Sequence, residues 1–196
     1  MLACCLAMLV GPGMAAAQEA SPGAVELPAA AAPFGLGEVA LPDDEGGVWD
    51  LFAALPETVI GQEAQPMEDL EDRIIASWGT PDAMFGPPLT LQALSFADGD
   101  FFPEDFTAEA FVTMSAGTGG SQMTAVGRDG DLVWMQTETT AGFAEDDPAT
   151  PEATMTLYTL SWGEAESGWL YSATATTPEG LEGVAIAFVE TAGDPA

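Results

Sequence analysis

Apolar positions along this chain repeat in two rhythms, steps of three to four residues in some stretches and of two in others, and the rhythm predicts the elements. Met67, Leu70, Ile74 and Trp78 recur at helical steps. Glu68, Asp69 and Glu71 suit the positive end of a helix dipole, and Gly79 with Pro81 suits its stop. This predicts a helix over 67–78. A shorter helix is expected from Trp49 to Ala54, capped by Asp50 and ended at Leu55-Pro56. After Gly86-Pro87-Pro88 the step becomes two: Leu89, Leu91 and Ala93 fall on one side of an expected strand and Leu94 and Phe96 on the other. Ala108, Phe111, Val112 and Ser115 then return to helical spacing, with Asp105 or Thr107 as cap and Gly117 as stop.

The second half reads as an antiparallel meander with strands over 122–127, 132–140, 153–162 and 168–176. Arg128-Asp129-Gly130 supplies one turn, and the acid- and proline-rich stretch 142–151 an exposed loop. A last helix has Thr177 as cap, Pro178 in its first turn, and Leu181, Val184, Ala185 and Phe188 on one face. Amphipathic helices need a sheet face to cover. The elements therefore predict an α+β domain, an antiparallel sheet of four to five strands covered by helices in α-β-α sandwich-like layers.

Ahead of this domain the composition shifts. Leu2 to Val10 form an uncharged apolar run and Ala15-Ala16-Ala17 provide small residues, so residues 1–17 are expected to be a signal peptide cleaved after Ala17. The run falls well short of the roughly 20 residues that span a bilayer, and no membrane span is expected. Residues 18–47 are rich in Ala, Pro and Gly, with Pro22, Pro28, Pro33 and Pro42 spaced to break helices, and read as a disordered linker. The single α+β domain is then 48–196, in a periplasmic or secreted protein. Both cysteines, Cys4 and Cys5, lie in the signal, so the processed chain is expected to have no thiol.

Charge narrows the chemistry further. Asp and Glu number 32 against 2 Lys plus Arg, a formal net charge of -30, and the two basic residues are Arg73 and Arg128. Nucleic acid and anionic lipid surfaces are repelled by such a chain. A saline habitat and a codon bias that leaves no Lys, Asn or His explain the composition equally well. Without His, Lys or a thiol, Ser-His-Asp and Cys-His catalysis, Schiff bases, a phosphate-loop lysine and histidine or thiolate metal sites are excluded.

Carboxylates are the titratable groups left in quantity. Glu164 with Glu166, in the turn between two strands, and Asp98 with Asp100, ahead of Phe101 and Phe102, are the best pairs for a carboxylate-dependent glycan hydrolase. Such a pair needs one acid set against an apolar wall, for which Trp162, Trp169 and Phe101 are the neighbours. Acidic residues in solvated hairpin turns account for the same pattern more simply. Asp98, Asp100, Glu104 and Asp105 crowd one loop with hard oxygen ligands suited to calcium. Phe102 and Pro103, however, stand where a helix-loop-helix calcium loop needs acid and glycine, so only weak divalent cation binding is expected. Trp162, Trp169 and Tyr171 are candidates for lining a ligand groove, with core packing the default for aromatics on strands.

In the closing stretch Leu157 to Ala192, Gly168-Trp169-Leu170-Tyr171-Ser172-Ala173 is followed by Thr177-Pro178-Glu179 and Ala187-Phe188-Val189. This strand, strand and helix run resembles the end of exported PsbP-like and LpqN-type domains. The resemblance covers about a fifth of the chain. It implies a non-enzymatic α-β-α sandwich serving as an accessory or binding module at an envelope or membrane complex, and it transfers no catalytic residue. By elimination the sequence points to an exported non-catalytic binding or accessory module without a cofactor. Its expected partner is an unknown envelope protein or small ligand; a glycan hydrolase and a calcium-dependent interaction protein are the alternatives.

Overall fold

The computed structural model describes residues 25–70, 72–82, 86–96, 102–103, 105–118, 121–143 and 153–193. Its centre is an antiparallel sheet of seven strands in the order β3-β4-β5-β9-β8-β7-β6. The strands are β3 (Glu68–Leu70), β4 (Arg73–Trp78), β5 (Leu89–Ser95), β6 (Gln122–Asp129), β7 (Leu132–Phe143), β8 (Ala153–Glu164) and β9 (Trp169–Ala175). β6 to β9 form the expected meander. β9 then pairs with β5, Leu91 opposite Ala173 and Ala93 opposite Tyr171, which joins the two halves of the chain in one sheet.

The helix expected over 67–78 is a strand hairpin, and this is why the sheet has seven strands where four to five were expected. β3 turns into β4 with Leu70 paired to Arg73. Leu70, Ile74 and Trp78 are spaced by four, a step that returns to the same face of a strand as well as of a helix. The deciding feature is Ala76 between them: Ile74, Ala76 and Trp78 are buried while Arg73, Ile75 and Ser77 are only partly so. The adjacent Ile74 and Ile75 are also β-branched, which favours a pleated strand.

Helix α1 spans Glu45–Ala53, earlier than expected, because Asp44 rather than Asp50 caps it, accepting from the Gly47 amide at 2.8 Å. Helix α2 (Ala108–Gly117) is capped by Thr107, whose Oγ1 accepts from the Ala110 amide at 3.2 Å. Helix α3 (Pro178–Gly193) has Thr177 as cap, with Gly180 N donating to its Oγ1 at 3.0 Å.

Alternation along the strands divides the core in two. On one face Leu91, Ala173, Leu160 and Trp162 pack beneath Leu181, Val184 and Phe188 of α3, together with Val48 and Phe52 of α1. On the other, Leu94, Leu170, Val133 and Met135 pack against Ala108 and Val112 of α2. Each large apolar side chain fully buried in these layers contributes about 1.5–3 kcal/mol.

The segment 25–47, read from sequence as part of a linker, packs on the domain. A 3-10 turn over Pro33–Glu38 carries Leu36, which is fully buried. Prolines prevent a long helix here, but they leave an extended chain free to lie along a sheet. Ala29 bridges to Arg128 in parallel, so this segment covers the β6 edge. The opposite edge is β3, three residues long and exposed, with Glu68 and Asp69 on it, a short charged edge that discourages further pairing. A two-stranded hairpin, β1 (Thr58–Val59) with β2 (Gln62–Glu63), lies outside the main sheet.

Candidate functional site

Alternate turns of a meander emerge at the same end of the sheet. The β6–β7 turn at Gly130-Asp131 and the β8–β9 turn over 165–168 are therefore neighbours. The Ala165 amide donates to the Asp131 carbonyl at 2.7 Å, and Leu132 pairs with Glu164. The segment leading into α1 adds Asp43. The result is an open depression of 430 Å³ lined by Asp43, Asp131, Glu164 and Glu166 with Ser167 and Gly168. A second hollow of 290 Å³ shares Asp131 and Glu164 with it and has Leu36, Val39 and Leu41 on its other wall.

Glu164 and Glu166, expected from sequence as a catalytic pair, both line this depression and both are exposed. Neither meets the apolar enclosure that a general acid of a glycosidase requires. Trp162, the aromatic neighbour expected to supply it, points instead into the α3 core with no exposed surface.

The aromatic trio does not line a groove. Trp162 and Tyr171 are buried, stacked at a centroid distance of 6.0 Å, and both rings contact Phe188 of α3. Only Trp169 is partly exposed. Burial, and secondly the charge of Glu164, pushes the Tyr171 phenol above the ordinary tyrosine range. Its hydroxyl donates to the Pro42 carbonyl at 3.3 Å, tying the segment before α1 to β9.

Of the expected cation loop, Asp98, Asp100 and Glu104 lie outside the described residues, and Asp105 is exposed in the turn before α2. Among the described residues no three carboxylates converge closely enough to hold a metal ion. No described helix is long and apolar enough to cross a membrane.

Both guanidinium groups are engaged away from the depression. Arg73 is bidentate on Asp72, with Nε to Oδ1 at 2.7 Å and Nη2 to Oδ2 at 2.5 Å, and this pairing holds the Asp72 carboxyl below the usual carboxylate range. Arg128 reaches across from β6 to Glu109 and fastens α2 to the sheet. Sequence reasoning singled out neither Asp43 nor Asp131 as a site residue. Only the docking of 25–47 and the fold-back of the meander bring them beside Glu164.

No family model, curated protein or solved structure matches this chain.

Proposed function

We propose that this protein is an exported, non-catalytic recognition module of the periplasm or cell envelope, whose α-β-α layered domain engages a basic surface of an envelope protein. One observation carries the reading: four carboxylates from three separate segments meet in one open depression, while both arginines are bound to other acids. Such a surface attracts positive charge over a distance set by the ionic strength. The same carboxylates lack the enclosure that hydrolysis requires, and the aromatic rings are committed to packing. Recognition is therefore the chemistry for which this surface is equipped.

Calorimetric titration with an oligolysine peptide at low salt tests the reading. The triple variant Asp131→Asn, Glu164→Gln, Glu166→Gln should lose most of the affinity. A control neutralised at the far edge, Glu68→Gln with Asp69→Asn, should keep it. Equal losses in both would mean diffuse charge attraction and would sink the assignment, as would turnover of a glycan by the purified protein that disappears in Glu164→Gln.

A further inference from the structure

The segment Val25–Ala32 lies along β6 through a single parallel bridge, Ala29 to Arg128, and the body of the domain carries a slot built for it. Ala30 N donates to the Arg128 carbonyl and Arg128 N to the Pro28 carbonyl, both at 2.9 Å. Trp134 Nε1 donates to the Ala30 carbonyl at 3.2 Å, and Asp129 Oδ2 accepts from the Ala32 amide at 3.0 Å. The Ala30 methyl sits over Gly127, where an added Cβ would come within 2.8 Å of it and 3.0 Å of the Trp134 ring. Side chains alternate as on any strand: Leu27 joins the α2 layer, Ala30 and Ala32 the α3 layer.

The joint between this arm and the body is strained. Phe34 lies in the left-handed region at φ 58° and ψ 18°, followed by Gly35 at φ 82°. A residue with a Cβ avoids that region, and opening the turn to extended backbone releases the cost. A good slot, a short arm and a strained hinge between them are the conditions under which a strand is traded between copies.

We propose that the arm is exchangeable, and that two copies of this chain form a dimer in which the Val25–Ala32 segment of each occupies the β6 slot of the other. Every hydrogen bond of the closed monomer is reproduced, while both hinges relax. The partner is a second copy because the slot's contacts fit this chain's own arm in register, from Leu27 to Ala32. The inference stands apart from the acidic depression and does not need it to bind anything.

Light scattering on the eluting protein at about 1 M NaCl, where the Debye length is about 3 Å and like-charge repulsion is screened, reads the equilibrium. Wild type should dimerise as concentration rises. Phe34→Pro cannot adopt the closed turn, because proline fixes φ near -65°, and should dimerise at least about tenfold more tightly. Phe34→Gly removes the strain and should dimerise about tenfold more weakly. Adding Gly127→Val to Phe34→Pro fills the slot and should return a monomer, with circular dichroism confirming the fold of each variant. A folded, monomeric Phe34→Pro overturns the proposal, even if it captures a synthetic peptide of residues 25–32. So does a dimer that survives Gly127→Val. Should Phe34→Pro fail to fold, an unchanged dissociation constant in Phe34→Gly overturns it equally.

Discussion

Trp162 lies against Tyr171 with ring planes 18° from parallel, and the two residues are also cross-strand partners of β8 and β9. Phe188 closes over them from α3, edge-on to Trp162 at 4.9 Å. Rings that would form a ligand groove on a bare sheet thus become the seam between sheet and helix. Three consequences of the packing on the two sheet faces and one of the surface charge can be measured.

The Tyr171 phenol, raised by burial and by Glu164, keeps its proton in the fold at a pH where an unfolded tyrosine, with a pKa of about 10, has lost it. The folded state then binds more protons than the unfolded state, so stability falls as pH rises. The contribution is complete below pH about 10 and drains away above it. Urea midpoints measured from about pH 9 to about pH 12 should fall more steeply for wild type than for Tyr171→Phe. Parallel curves would contradict the assignment.

Trp162 Nε1 is buried without a hydrogen-bond partner, whereas Trp78 Nε1 donates to the Pro56 carbonyl at 2.9 Å. The two indoles are otherwise equally buried, at 0% and 1% exposure. Replacing each by Phe removes similar volume, but only Trp78→Phe breaks a hydrogen bond, and only Trp162→Phe relieves an orphan donor. Trp78→Phe should be the costlier by about 1–3 kcal/mol in denaturant unfolding. The reverse order would show that Trp162 has a partner in solution.

Gly163 is the point at which α2 meets the sheet. A Cβ there would stand 2.7 Å from the Trp169 carbonyl oxygen and 2.8 Å from Ala108 Cβ. The carbonyl belongs to the backbone of β9 and the methyl to α2, so both strand and helix must give way. Gly163→Ala should cost about 1–3 kcal/mol, while Gly168→Ala in the adjoining turn, which has nothing within 4 Å, should cost far less.

A net charge of -30 works against compactness through mutual repulsion that salt screens. Raising NaCl from about 10 mM to about 1 M shortens the Debye length from about 30 Å to about 3 Å, and the melting temperature should climb by about 5 °C or more. A flat response would mean that the carboxylates are too dispersed to repel one another appreciably.

How much of this was written in the chain depends on whether neighbours in sequence are neighbours in space. Thr107 and Thr177 were legible as caps because a cap and the amide it binds are three residues apart. The meander was legible because each strand pairs with the next. Leu70, Ile74 and Trp78 misled, since a spacing of four satisfies both periodicities, and the strand shows in the buried Ala76 between them and in the pairing of Ile74 with Ala93 on β5. The ordering of 25–47 was hidden for a different reason: its fit depends on an absent side chain at Gly127 and on Trp134, about a hundred residues away. The acidic depression was legible at Glu164 and Glu166 and invisible at Asp43, which arrives through that same docking.

The two arginines have a further, practical meaning. Trypsin cuts only after basic residues, and this chain offers it just the bonds following Arg73 and Arg128. Both lie inside paired strands, with their side chains held by Asp72 and Glu109. Strand pairing and these ion pairs should slow cleavage in the folded protein, and unfolding opens both bonds. Cleavage after Arg73 and Arg128 is therefore a built-in report of how often the sheet comes apart.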